Sequence, residues 1–179
     1  MKKNLILTAL GLLLAASLAH AQLGGTTGTT TVSVAVAAEA ALSAITGTST
    51  LTSTGTNFST YTGTTSLTYF IRTTPTSGSG SIVLEVTTDF APTGGPSVGS
   101  PPTAGDALTY TCAVSSPGTA CSGPLTAKTT GTTSVATFGA NAHSTFAGNS
   151  ASVSWSLTND PQYKVGTYTA TVTFTISAA

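Results

Sequence analysis

Gly166-Thr167-Tyr168-Thr169-Ala170-Thr171-Val172-Thr173-Phe174-Thr175-Ile176 alternates without a break. Tyr168, Ala170, Val172, Phe174 and Ile176 fall on one face and the threonines on the other, which is the period of two that defines a strand. One face is built for a core and one for water, as in an antiparallel sheet. Full burial of the four large apolar side chains would contribute on the order of 10 kcal/mol gross, at ~1.5–3 each. A slip of one residue would send the threonines into the core, so pairing is strongly specified here.

The same alternation recurs on moving back from this strand. Asn159-Asp160-Pro161 supplies a turn before it, and Ser152 to Leu157, with the single tryptophan Trp155, reads as a further strand. So does Ser134 to Phe138. Leu108, Tyr110, Cys112 and Val114 share one face of another. Ala91 to Gly105 is rich in Pro and Gly and reads as a long loop. Leu67, Tyr69 and Ile71 alternate, as do Ile82, Leu84 and Val86, with Ser77-Gly78-Ser79-Gly80 between them, a pattern that predicts a hairpin. Thr46 to Thr65 reads as turns and short strands anchored by Leu51, Phe58 and Tyr61. Ala37 to Ala44 fits a short helix or, as the preferred reading, a continued edge strand through Leu42 and Ile45. Val32, Val34 and Val36 alternate with Ser33 and Ala35. Eight to ten short strands and no helix predict an all-β fold, a single Ig-like antiparallel β-sandwich over 32–179.

The first residues predict export. Lys2 and Lys3 precede an apolar run from Leu5 to Leu18, and Ala19-His20-Ala21 places small residues at both positions a signal peptidase reads. Residues 1–21 are read as a signal peptide cut between Ala21 and Gln22, followed by a flexible Gly/Thr-rich segment at 22–31. The apolar run is shorter than the ~20 residues of a spanning helix. No cysteine stands near the cut, and no covalent membrane anchor is expected. A secreted or cell-surface location follows.

Removing 21 of the 179 residues leaves 158, enough for one core. Three cations (Arg72, Lys128, Lys164) then face five acids (Glu39, Glu85, Asp89, Asp106, Asp160). Three scattered cations cannot neutralise a run of phosphates, so nucleic acid is excluded as a partner. Electrostatic docking on anionic lipid fails for the same reason. The two cysteines, Cys112 and Cys121, flank the turn residues Ser116-Pro117-Gly118, and in an oxidising compartment a disulfide is the default. A hairpin centred on Ser116 and Pro117 would bring them face to face. A metal needs three or four ligands, and neither His nor a third Cys lies near them.

The end of the chain, from Asp160-Pro161-Gln162-Tyr163 to the alternating strand, resembles the last strands of bacterial pilin-like Ig domains, the group of spore coat protein U and the chaperone–usher fimbrial subunits. Thr31 to Ala37, an alternating segment just after the signal, fits the same layout. The chain departs from that group in its cysteines, which are late and local rather than near the start of the domain. The resemblance implies an extracellular assembly role and carries no catalytic residues.

Gly95-Pro96-Ser97-Val98-Gly99 matches the nucleophile-elbow pattern, and Asp106 and His143 follow in the order of a hydrolase triad. That chemistry needs Ser on a strand-to-helix turn, and the Gly/Pro-rich stretch Gly94-Gly95-Pro96-Ser97-Val98-Gly99-Ser100-Pro101-Pro102 cannot start a helix. The chain is therefore read as non-enzymatic, with no catalytic, cofactor-binding or metal residues. The expected partner is the chain itself, by strand addition through Val32, Val34 and Val36, or an extracellular surface ligand. Two alternatives stand beside it. One is a carbohydrate- or protein-binding adhesive domain, with Trp155, Tyr69, Tyr110 and Phe174 as a candidate platform, although such aromatics more often form core. The other is a small outer-membrane β-barrel, for which most strands fall short of the ~9–11 residues needed to span.

Overall fold

The computed structural model describes residues 27–179, and among these there are nine strands and no helix. The signal sequence, its Ala21–Gln22 cut and the first part of the 22–31 segment lie outside the described residues. The strands are β1 (Glu39–Ile45), β2 (Tyr61–Arg72), β3 (Gly80–Ala91), β4 (Thr109–Val114), β5 (Thr119–Ala120), β6 (Leu125–Thr126), β7 (Thr133–Phe138), β8 (Asn149–Leu157) and β9 (Thr169–Ala178). They form two antiparallel sheets, β1-β2-β8-β4-β6 and β5-β7-β3-β9, packed face to face as a β-sandwich. Two sheets with free edges stand where a membrane barrel would need one closed cylinder.

From β2 to β9 the chain changes sheet at every connection. Only β1 and β2 are consecutive neighbours in one sheet. The expected Leu67–Thr87 hairpin is therefore an arch, with β2 and β3 in opposite sheets. The reason lies in the connection and in the burial pattern. Residues 73–79 are too many for the two-to-five-residue loop of a tight hairpin. Both strands also bury every second side chain, Leu67, Tyr69 and Ile71 from one layer and Ile82, Leu84 and Val86 from the other. The arch is pinned by buried Thr73, whose hydroxyl donates to the Gly139 carbonyl at 2.7 Å and accepts from the Ala142 amide at 2.8 Å.

The expected cysteine hairpin is an arch too. β4 lies in one sheet and β5 in the other, and the chain turns between them at Ser115–Gly118, where the Gly118 amide donates to the Ser115 carbonyl at 3.1 Å. The disulfide itself is present, with Cα atoms 5.5 Å apart, and it closes this crossing between layers.

Two tyrosines span the core. Tyr69 of β2 stacks on Phe138 with ring centroids 5.2 Å apart, and its hydroxyl donates to the Ser115 carbonyl at 2.6 Å. Tyr110 of β4 packs on Trp155 at 5.5 Å and donates to the Ser134 carbonyl of β7 at 2.8 Å. Both rings are buried, with each polar tip satisfied by a backbone acceptor, as burial requires.

β9 carries the threonine alternation as expected, with its threonines exposed. Its apolar face is only partly buried, although the facing residues on β3 are fully covered. The cause is position: β9 is the outermost strand of its sheet, so nothing flanks it beyond β3. The gross contribution of these side chains is correspondingly below the full-burial figure.

Candidate functional site

β1 and β9 are the outer strands of the two sheets, and they lie against each other on the same side of the sandwich. β1 pairs only with β2 and β9 only with β3. Each therefore presents a second edge of backbone N–H and C=O groups with no ladder partner among the described residues. Along β9 this open edge runs beside Val172, Phe174 and Ile176. The register Ile82–Ile176, Leu84–Phe174 and Val86–Val172 sets each of them next to a fully buried partner on β3. One charged pair closes the end of β1, where Arg72 donates to Glu39 at 3.1 Å and to the Ala37 carbonyl at 2.7 Å.

Residues 27–38 contain no strand, so the Val32–Val36 alternation has no ladder partner among the described residues. An extended segment becomes a strand only when a partner edge supplies its hydrogen bonds. Val32, Val34 and Val36 are 89%, 84% and 63% exposed. The preferred edge-strand reading of the following residues is met by β1, which includes Leu42 and Ile45.

The hydrolase residues do not come together. The Ser97 hydroxyl donates to Asp89 Oδ2 at 2.6 Å and accepts from the Ser100 amide. Asp89 also accepts from the amides of Phe90, Val98 and Gly99, so it organises the long loop after β3. These bonds hold the Asp89 carboxyl below its usual range against the opposing effect of burial. His143 instead bridges to Arg72 at the far end of the sandwich, its Nδ1 against the Asn141 carbonyl. Asp89 and Gly80, at opposite ends of β3, are roughly 30 Å apart along the strand.

Nor do the aromatics form a platform. Trp155 is 5% exposed, and its indole N–H donates to the Thr65 hydroxyl at 2.8 Å inside the core. Tyr69 and Tyr110 are buried, and Phe174 points inward from β9.

One cluster carried no sequence signal. Asp106, in the loop before β4, and Asp160, in the loop before β9, are both buried and meet at the sandwich end where β2 begins. Fifty-odd residues separate them in the chain, and no spacing rule joins them. Thr103 donates to Asp160 Oδ2 at 2.7 Å, the Gln162 amide donates to Oδ1 at 2.7 Å, and the Gln162 side chain donates to the Thr103 hydroxyl at 2.9 Å. Burial pushes Asp106 up, and the neighbouring Asp160 adds to the effect. Asp160 is held down, chiefly by the Thr103 hydroxyl and the Gln162 amide. Among the described residues no three His, Cys, Asp or Glu side chains gather as a metal-binding group.

No family model matches the chain, and no curated protein or solved structure matches it either.

Proposed function

We propose that this is an exported structural subunit that self-associates at the cell surface, the Thr31–Ala37 segment of one copy adding as a strand to the free edge of β9 in another. The observation that carries this reading is the pairing of an open edge with a matching ligand in the same chain. β9 offers unpaired backbone beside a partly covered apolar row. The segment offers three exposed valines at every second position, which is the spacing a sheet face accepts. Chains that leave both features open are prone to edge-to-edge association. Low charge removes the repulsion that would oppose it. The disulfide is consistent with an oxidising extracellular compartment, and the signal-like start supplies the route. The likeness to pilin-like domains points the same way.

Light scattering and negative-stain imaging of the mature protein test this. Concentration-dependent oligomers or filaments are expected, and Val34→Asp with Val36→Asp abolishes them while the thermal transition of the sandwich stays in place. A wild-type protein that remains monomeric at high concentration overturns the reading.

A further inference from the structure

Thr169 to Ala179 contains no charge, no proline and no glycine. From Val172 to Ala178 the strand β9 pairs with Val86 to Gly80 at seven consecutive positions without a register break. The breaks in this ladder fall beyond Val172, toward Thr169. Over that stretch β9 carries none of the features that keep an outer strand from pairing. β1, the other outer strand, carries two. Its ladder with β2 breaks between Leu42 and Ala44, and its first residue, Glu39, puts a charge at the edge that Arg72 holds at 3.1 Å. Irregularity and charge both blunt an edge. Thr31-Val32-Ser33-Val34-Ala35-Val36-Ala37 is itself free of charge, proline and glycine.

The inward row of β9 along the regular stretch is Val172, Phe174 and Ile176, flanked by Ala170 and Ala178. Val32, Val34 and Val36 have the same spacing. Set opposite that row, all three valines meet a large side chain. A shift of two residues trades one of these contacts for Ala170 or Ala178. A shift of one turns the valines to the threonine face.

Direction follows from the ends of the strands. β9 finishes where β1 begins: Ala178 faces Gly80, Glu39 faces Arg72, and the Thr74 amide of the intervening arch donates to the Ala179 carbonyl at 3.2 Å. An incoming segment is followed by its own sandwich, after its Ala37. In parallel pairing that sandwich would crowd this end of the acceptor, where the acceptor's own chain enters β1 and Arg72 donates to the Ala37 carbonyl at 2.7 Å. Antiparallel pairing places it beyond Thr169, at the opposite end, and leaves the entry clear. Antiparallel ladders are also the stronger kind per residue, and every strand pair here is antiparallel.

Resting on the self-association proposed above, we propose that Thr31–Ala37 of one copy pairs antiparallel with Thr171–Ser177 of β9 in the next. Val32 then stands opposite Ile176, Val34 opposite Phe174 and Val36 opposite Val172, and β1 accepts no strand. Copies join head to tail, each giving a segment at one end of its sandwich and receiving a neighbour at the other.

Cysteine crosslinking between two mature variants, mixed and mildly oxidised, reads the register, and light scattering on the same mixture reads association. In this register Ala35 lies opposite Thr173, with Cβ atoms ~5 Å apart, and diagonal to Thr175 at ~7–8 Å. Parallel pairing would exchange the two threonines. Ala35→Cys is therefore expected to link to Thr173→Cys at least roughly tenfold faster than to Thr175→Cys or to Ala41→Cys on β1. All four positions are exposed, so each variant keeps the thermal transition of the sandwich. Faster linkage to Thr175→Cys overturns the direction, and faster linkage to Ala41→Cys overturns the choice of edge, while self-association stands in both cases. Oligomers in which no pair links overturn β9 as the acceptor. A mixture that stays monomeric and unlinked removes the self-association, and this register with it.

Discussion

Phe174 and Leu84 are cross-strand neighbours on one face of one sheet, yet they sit in different surroundings. Leu84 is fully buried, and Phe174 is partly open along the free edge of β9. By size alone Phe→Ala should be the worse substitution, at ~3–5 kcal/mol against ~2–5 for Leu→Ala. Position reverses the order. Leu84→Ala leaves a cavity enclosed by both sheets and is expected to destabilise by about 3–4 kcal/mol. Phe174→Ala removes a ring whose outer part already touches water and whose space solvent can enter from the edge. It loses only part of the transfer free energy and little of the cavity cost, about 2 kcal/mol. Urea unfolding followed by fluorescence separates the two, since Trp155 is the only tryptophan and is buried in the core. With a slope of ~2 kcal/mol/M, Leu84→Ala lowers the midpoint by roughly 1.5–2 M and Phe174→Ala by about 1 M. A Phe174→Ala monomer that loses more than Leu84→Ala would refute the open edge. In the associated form proposed above, strand addition would cover Phe174, and the cost of its removal would climb toward the full-burial value.

Replacing Cys112 and Cys121 together by Ala frees a short closed loop and is expected to remove about 2–3 kcal/mol, or roughly 5–10 °C of melting temperature, by calorimetry. Thr65→Val strips the buried Trp155 indole N–H of its acceptor and should destabilise by ~1–3 kcal/mol without a change in volume; an unchanged urea midpoint would contradict the bond. Burial pushes the Tyr69 and Tyr110 phenols up. The native state therefore holds these protons more tightly than the unfolded chain does. Their contribution is intact below the ordinary tyrosine range near pH ~10 and is lost as pH rises through and beyond it. Ultraviolet titration should show these phenols ionising only together with alkaline unfolding.

Strand existence was legible in the sequence because a half-buried strand writes its environment every second residue. The Thr169–Ala178 and Asn149–Leu157 strands were readable for that reason. Strand pairing was not. Ser77-Gly78-Ser79-Gly80 and Ser116-Pro117-Gly118 mark reversals of the chain, but the same residues serve a hairpin within one sheet and an arch between two. Local turn chemistry does not say which layer the next strand joins. The partial exposure of Val172, Phe174 and Ile176 was hidden too, since it depends on β9 being outermost rather than on its own residues. The Asp106–Asp160 cluster is legible only in three dimensions, because two loops far apart in sequence bring its members to one end of the sandwich.

The disulfide bears on how the molecule responds to a pull. Cys112 and Cys121 lie nine positions apart in sequence, with Cα atoms 5.5 Å apart. Stretched from Val36 to Ala179, an oxidised chain cannot release the contour stored between them. That stored contour is roughly 25 Å at full extension. A reductant would return this hidden length as one extra increment of extension. Under tension the bond thus sets how far a single molecule can lengthen, whatever force opens its sheets.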